Sequence, residues 1–231
     1  MITKEIFFDT DEFKLTKEKL GEGTFGQVYV VNSLKDNKKY AAKIINSINM
    51  TSVNSQFLFM NESQILQKLN HPSIVKFIGI NFHSFEDSTS LKPTILTEYL
   101  PNKSLKEILD NEKQSIANAD WTPTKKYICL LGITDALRYL HEHGIIHRDI
   151  KPENVLIDEH FYPRLCDFGL SKCFSEALSN SMKLSMKGIT GTPLYMAPEL
   201  FEDDNHFSPS IDVYAFSMLA YEIVTGKEPF N

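Results

Sequence analysis

Residues His147-Arg148-Asp149-Ile150-Lys151-Pro152-Glu153-Asn154 put a carboxylate, a cation and an amide into one short loop. Asp149 can take the proton of a hydroxyl, Lys151 supplies positive charge beside it, and Asn154 can hold a metal ion. The spacing fits H-R-D-hydrophobic-x-x-x-N, a pattern suited to phosphoryl transfer.

Three further groups of residues suit the same chemistry. Gly21, Gly23 and Gly26 form a G-x-G-x-x-G, with Val28 beyond it. Glycine lets backbone approach phosphates without a Cβ in the way. Two folds use such glycines: a dinucleotide-binding fold needs a helix directly afterwards, whereas a phosphate-covering loop lies between two strands. Gln27-Val28-Tyr29-Val30-Val31 is strand-like, which favours the second; an ordinary Gly-rich hairpin is the plainer alternative. Lys43 follows Ala41-Ala42 inside an apolar strand run, where a solvated lysine is out of place. Glu62 shares a helical stripe with Leu58, Ile65 and Leu66, so its carboxylate faces inward. Pairing Lys43 with Glu62 satisfies both buried charges and sets an ammonium where phosphates would sit. Asp167-Phe168-Gly169 puts a carboxylate at a turn beside a glycine. Alone it reads as a plain turn, but after the octet Asp167 is the expected ligand for Mg²⁺, which prefers one or two carboxylates plus phosphate oxygens.

The polar stretch from Ser171 to Thr190 leads into Gly191-Thr192-Pro193-Leu194-Tyr195-Met196-Ala197-Pro198-Glu199, ending in A-P-E. It carries Ser185 and Thr190 among several hydroxyls, with Thr192 just after. Arg148 is a ready partner for a phosphate there, since a near-dianionic group held by an arginine can order a segment. For any single hydroxyl, an incidental polar residue is the simpler reading.

The elements that must position these groups divide the chain. Up to about residue 100 the texture is mostly strand: Phe13 and Leu15 alternate with Lys14 and Thr16, then follow Gln27 to Val31, Tyr40 to Ile45, Val75 to Ile78 and Thr94 to Tyr99. One helix interrupts them, through Leu58, Ile65, Leu66 and Leu69, and His71-Pro72 ends it. After Pro101-Asn102 the texture becomes helical. Thr122 caps a helix with Pro123 at its first position, Leu130, Ile133, Leu137 and Leu140 form its apolar stripe, and Gly144 suits its end. A second stripe, Val213, Phe216, Ala220 and Ile223, stops at Gly226. Two short apolar runs, Val155 to Ile157 and Arg164 to Cys166, flank the chemistry.

Together these motifs resemble the eukaryotic protein kinase family from Phe13 to Phe230. The resemblance implies an α+β, two-lobed fold with ATP in its cleft: a β-rich N-lobe over about 12–100 and a mostly helical C-lobe over about 101–231. It implies an ATP-dependent protein kinase using Mg²⁺, with Asp149 as base, Lys151 beside it, Lys43 on the phosphates and paired to Glu62, and Asn154 and Asp167 on the metal. Leu20, Val28, Ala41 and Leu156 match the positions that sandwich adenine. Gly21, Gly23 and Gly26 cover the phosphates, and backbone groups of Glu98 and Leu100 lie behind a gatekeeper, Thr97. Leu66, Phe77, His147 and Phe168 match a stacked apolar spine, with Asp212 beneath it. Lys151 and Thr192 look like Ser/Thr kinases, so protein Ser/Thr hydroxyls are the expected acceptors. The neighbourhood of Asp212 to Ser217 looks more like the tyrosine-kinase-like group. Arg148, Ser185, Thr190 and Thr192 form the implied regulatory set, served by an upstream or trans-autophosphorylating kinase. Family members continue beyond the position of Asn231 with helices and an arginine that pairs with the residue matching Glu199, so the chain reads as a C-terminally truncated catalytic domain. A nucleotide-binding or scaffolding module without turnover is the alternative.

Composition narrows the rest. The 24 Lys and Arg against 30 Asp and Glu leave a formal charge of −6 with no long basic run, which argues against nucleic acid as a partner. Cys129, Cys166 and Cys173 show no CxxC spacing and cannot all pair, and the N-terminus lacks the features of a signal peptide. These point to a reduced, cytoplasmic setting. No run of about 18 apolar residues suggests a membrane span.

Overall fold

The computed structural model describes residues 6–23, 26–45, 53–116, 118–173, 192–201 and 208–230. Strands and helices segregate, as in an α+β chain. One compact unit holds Met1–Asn70 and Val75–Leu100, the other His71–Ile74 and Pro101–Asn231.

The first unit is a five-stranded antiparallel sheet of order β1-β2-β3-β5-β4. Its strands are β1 (Phe13–Gly23), β2 (Gly26–Ser33), β3 (Lys39–Ile45), β4 (Phe77–His83) and β5 (Leu91–Glu98). Helix α1 (Val53–Lys68) lies between β3 and β4 in sequence. Because side chains alternate along a strand, the register sorts residues into two faces. Val31, Ala42, Ile44 and Leu96 form a core cluster on one face, flanked by Phe13, Leu15, Tyr29 and Tyr40. The other face carries Gly21 opposite Val28, Val28 opposite Lys43, and Ala41 opposite Thr97. Of the nucleotide-side positions expected of the sheet strands, Glu98 pairs with Tyr40 and so falls on the core face, and Leu20 lies where the β1–β2 register shifts between Lys19 and Gly21.

The second unit contains α2 (Leu105–Lys113), α3 (Pro123–Glu142) and α4 (Ser210–Thr225). Ser104 Oγ caps α2 by accepting from Glu107 N–H at 3.4 Å, and Thr122 Oγ1 caps α3 by accepting from Lys125 N–H at 3.3 Å. Pro123 opens α3, where a missing N–H removes nothing from the helix ladder. Cys129, Ile133, Ala136, Leu137 and Leu140 are its buried face. Short strands β6 (Ile145–Ile146) and β9 (Lys172–Cys173) pair, and β7 (Val155–Ile157) with β8 (Pro163–Leu165) makes a hairpin. Ser73 O accepts from Leu165 N–H, which ties His71–Ile74 to this unit.

Helix α4 corrects one expectation. Of the stripe Val213, Phe216, Ala220 and Ile223, only Ile223 is buried and Val213 is 57% exposed. The inward face is Ile211, Asp212, Ala215, Leu219, Glu222 and Ile223. Ile211, Ala215, Leu219 and Ile223 form an i, i+4 apolar row there, and the two carboxylates beside it, Asp212 and Glu222, have polar partners elsewhere in the unit. Among the described residues no helix is long and apolar enough to cross a membrane.

Candidate active site

The functional residues fall into two groups, one in each unit. In the first unit the glycine-rich turn joins β1 to β2, so a strand and not a helix follows the glycines. Gly26 is required by packing: a Cβ there would sit 2.3 Å from Ile44 O. Gly21 is not, since a Cβ there would meet nothing within 4 Å. Its place on the open face beside Val28 is what a cradle for a close-approaching ligand would need. Lys43 Nζ lies 2.7 Å from Glu62 Oε2, with the carboxylate side chain only 7% exposed. The helical spacing that buries Leu58, Ile65 and Leu66 buries Glu62 with them, so the pair forms where the strand lysine meets that stripe. Leu66 and Phe77 are buried in this unit. At the end of β5 the Glu98 N–H donates to Lys76 O, and its carboxylate accepts from Lys76 N–H at 2.8 Å. Leu100 is buried.

In the second unit β6 delivers the chain into the catalytic octet. The carboxylate of Asp212, fully buried at the start of α4, accepts the backbone N–H groups of His147 and Arg148, each at 2.8 Å. His141 Nε2 lies 2.9 Å from the same carboxylate. These bonds hold Arg148 at φ 71°, a left-handed conformation that disfavours a residue with a side chain. The turn brings Asp149 N–H to His147 Nδ1 at 3.3 Å. Asp149 Oδ2 then receives Lys151 Nζ at 2.8 Å and Asn154 Nδ2 at 2.8 Å. Asn154 Nδ2 also donates to Asp149 O at 2.8 Å, which locks the short 3-10 turn Pro152–Asn154 against the base. Both side-chain bonds fall on one carboxylate oxygen, Oδ2. Lys151 Nζ spans from Asp149 to Thr192 Oγ1 at 3.1 Å.

The β7–β8 hairpin brings the two implied metal ligands to one end. Cys166 N–H donates to Asn154 O at 3.0 Å, and Asp167 follows directly, exposed and at φ 60°. With the amide nitrogen of Asn154 spent on Asp149, its Oδ1 remains as an acceptor. One carboxylate and one amide oxygen suit a Mg²⁺ ion whose other ligands are phosphate and water. Among the described residues no three His, Cys, Asp or Glu side chains group closely enough to hold a metal by themselves. Phe168 is buried with its ring 4.9 Å from that of His147. Leu156 on β7 is half-buried.

Arg148 is buried to 8% exposure, and burial holds its guanidinium below its ordinary pKa although the Asp212 charge opposes the shift. Ser185 and Thr190 lie outside the described residues. Glu199 accepts Ser210 Oγ–H at 3.4 Å.

The motifs do not point to Lys113, Tyr195 and Glu222. Glu222 on α4 is fully buried, accepting Tyr195 Oη–H at 2.6 Å and facing Lys113 Nζ at 3.1 Å. Burial and the Glu222 carboxylate push the Tyr195 phenol well above its ordinary pKa. A glutamate among Leu219 and Ile223 carries the same sequence signal that singled out Glu62.

The match to known proteins covers both groups of residues. A family model described as a protein kinase domain matches residues 15–231. Cysteine-rich receptor-like protein kinase 27 of Arabidopsis thaliana is 39% identical over 94% of this chain and 32% of its own length. A probable serine/threonine-protein kinase of Dictyostelium discoideum is 37% identical over 98% of this chain and 22% of its own, and serine/threonine-protein kinase PKH2 of Saccharomyces cerevisiae 33% over 92% and 19%. The chain thus spans about a third or less of the length of the curated relatives it matches. With a glycine-rich strand turn, a lysine–glutamate pair and a base loop all inside the matched stretch, the chain belongs to the protein kinase family.

Proposed function

We propose that this chain transfers the γ-phosphoryl group of ATP to Ser and Thr hydroxyls of protein substrates. The observation that carries the proposal is Asp149, one oxygen pinned by Lys151 and Asn154 and the other left to accept a proton. The acceptor hydroxyl oxygen bonds to the γ-phosphorus, its proton passes to Asp149 Oδ1, and the bond to the bridging oxygen breaks to release ADP. Lys151 stays close to the charge that develops, and Thr192 fixes its reach. Lys43, oriented by Glu62, is assigned to the phosphates, and Leu20, Val28, Ala41 and Leu156 with the backbone of Glu98 and Leu100 to the adenine. Asn154 and Asp167 would hold Mg²⁺, which neutralises phosphate charge when bound.

Ser/Thr acceptors are supported by Lys151 and Thr192, and by relatives that carry serine/threonine-protein kinase in their names. We assign the chain to the tyrosine-kinase-like group on the Asp212 to Ser217 sequence. Arg148 is assigned to a phosphate added at Ser185 or Thr190 by an upstream kinase or a second copy. We assign the chain to an intracellular setting on the spacing of Cys129, Cys166 and Cys173, which is not that of a disulfide framework.

The test is transfer of labelled phosphate from ATP·Mg to a generic protein, followed by phosphoamino-acid analysis. Asp149→Asn is expected to lower turnover by about 10²–10⁴-fold while ATP still shifts the melting temperature. Equal incorporation by both proteins refutes the assignment of the base. ATP binding without turnover in the folded wild-type chain would favour the scaffolding alternative.

A further inference from the structure

Two lysines of α2 and three carboxylates form a charged cluster that no part of the proposed chemistry uses. Lys106 Nζ contacts Asp110 at 2.9 Å and Glu228 at 3.0 Å. Lys113 Nζ contacts Glu222 at 3.1 Å, Glu228 at 3.5 Å and Asp110 at 3.9 Å. Only one of the three carboxylates, Glu222, is wholly withdrawn from solvent. Asp110 and Glu228 side chains keep 39% and 34% exposure, so water serves them whether or not a lysine is near. Glu222 has no such recourse. An ionised carboxylate there needs a cation, and Lys113 is the cation in contact with it.

From Glu222 a continuous line of contacts runs to the base. Glu222 Oε2 accepts from Tyr195 Oη–H. Tyr195 N–H donates to Thr192 O at 3.0 Å, closing the short turn Pro193–Tyr195. Thr192 Oγ1 holds Lys151 Nζ, and Lys151 Nζ holds Asp149 Oδ2. Thr192, Tyr195 and Met196 also line one depression with Arg148, Asp149 and Ile150. The Lys113–Glu222 pair therefore orients the carboxylate to which Tyr195 donates, and Tyr195 decides where Thr192 stands.

We infer that Lys113 is a positioning residue for the transfer step: its ion pair orients Glu222, and through Tyr195 and Thr192 it fixes Lys151 against Asp149. The inference deepens the kinase reading and rests on it. Loss of Lys113 leaves a buried carboxylate without its cation, the Tyr195 bond weakens, and the Thr192–Tyr195 turn shifts. A displacement of this kind acts on turnover, not on ATP, because every residue in the line lies on the acceptor side of the chemistry.

The experiment compares Lys113→Met, Lys113→Arg, Tyr195→Phe, the double variant Lys113→Met/Tyr195→Phe, and Lys106→Met. Lys113→Met and Tyr195→Phe are each expected to lower kcat about tenfold with KM for ATP within about twofold. The double variant should fall no further than either single one, since both act on one line. Lys113→Arg should restore kcat, and Lys106→Met, whose partners are solvated, should leave it unchanged. Wild-type kcat in a folded Tyr195→Phe or Lys113→Met overturns the inference, as does a multiplicative fall in the double variant. Amide hydrogen exchange supplies a readout independent of activity. Lys113→Met and Tyr195→Phe should speed exchange at Tyr195 and Met196 while amides of α3 keep their rates. If Lys113→Met does not fold, Tyr195→Phe decides alone, because it retains the Lys113–Glu222 pair. A wild-type chain that transfers no phosphate refutes the kinase reading; exchange at Tyr195 unaltered by both variants refutes the positioning role.

Discussion

Removal of the Asp212 carboxylate should loosen the catalytic octet before anything else in the chain. Two backbone N–H groups, those of His147 and Arg148, end on it at 2.8 Å, inside a region where His147 and Asp212 are fully buried. A hydrogen bond to an ionised group contributes about 1.5–3 kcal/mol, so Asp212→Ala forfeits roughly 3–6 kcal/mol and strands two buried donors. That approaches the whole stability of a domain at the lower end of ~5–15 kcal/mol, and Asp212→Ala is expected to be partly unfolded. Asp212→Asn is the better probe. It preserves volume and one acceptor oxygen, so about half of the interaction, roughly 1.5–3 kcal/mol, is lost. The loss concentrates where backbone strain is stored: Arg148 at φ 71° is held against a preference of about 1–3 kcal/mol. Amide exchange of Asp212→Asn should accelerate at His147 and Arg148 by about 10-fold or more while amides of Ile133 and Leu137 on α3 hardly change. Turnover should fall with it, since Asp149 follows Arg148 directly, whereas ATP binding should not. Unchanged exchange at both amides with undiminished turnover would refute the claim that Asp212 positions the loop.

Other perturbations separate packing from chemistry. Lys43→Met leaves Glu62, 5% exposed, without its cation. It should lower stability by roughly 2–3 kcal/mol in urea titrations, a figure reduced for the 24% exposure of the lysine, and Lys43→Met/Glu62→Leu should recover stability but not turnover. Gly26→Ala pushes a Cβ into Ile44 O and should cost about 1–3 kcal/mol, whereas Gly21→Ala, with nothing within 4 Å, should keep the melting temperature and raise KM for ATP. Glu228 is held below the ordinary pKa of a glutamate, first by its bond to Lys106 and then by the charges of Lys106 and Lys113. A depressed carboxyl stabilises above its unfolded pKa and loses that contribution as pH falls through the folded one. Thermal melts should therefore find Glu228→Gln less stable than wild type near pH 7, with the gap closing below about pH 4.5.

What the sequence reveals and what it withholds follow from how far each interaction reaches along the chain. Asp149, Lys151 and Asn154 fall within six residues, so spacing alone places them together, and the observed bonds between them are local. Lys43 and Glu62 lie further apart, yet each breaks an apolar pattern of its own, and two misplaced opposite charges suggest a pair without any knowledge of the fold. Glu222 breaks the α4 pattern just as visibly, between Leu219 and Ile223. Its partners do not. Lys113 belongs to an α2 surface rich in charge, where Lys106 and Asp110 make an ordinary i,i+4 pair, and nothing there marks one lysine as different. Tyr195 sits in a short turn with no period at all. The apolar stripe assigned to α4 failed because this helix offers two apolar rows, and the one that turns inward, Ile211, Ala215, Leu219 and Ile223, is the one flanked by Asp212 and Glu222, whose partners are more than twenty residues away in sequence. A buried carboxylate inside an apolar stripe is thus a sign that a distant donor exists, and among the described residues Glu62 and Glu222 both show it. The first meets Lys43. The second, by the same physics, meets Lys113 and Tyr195.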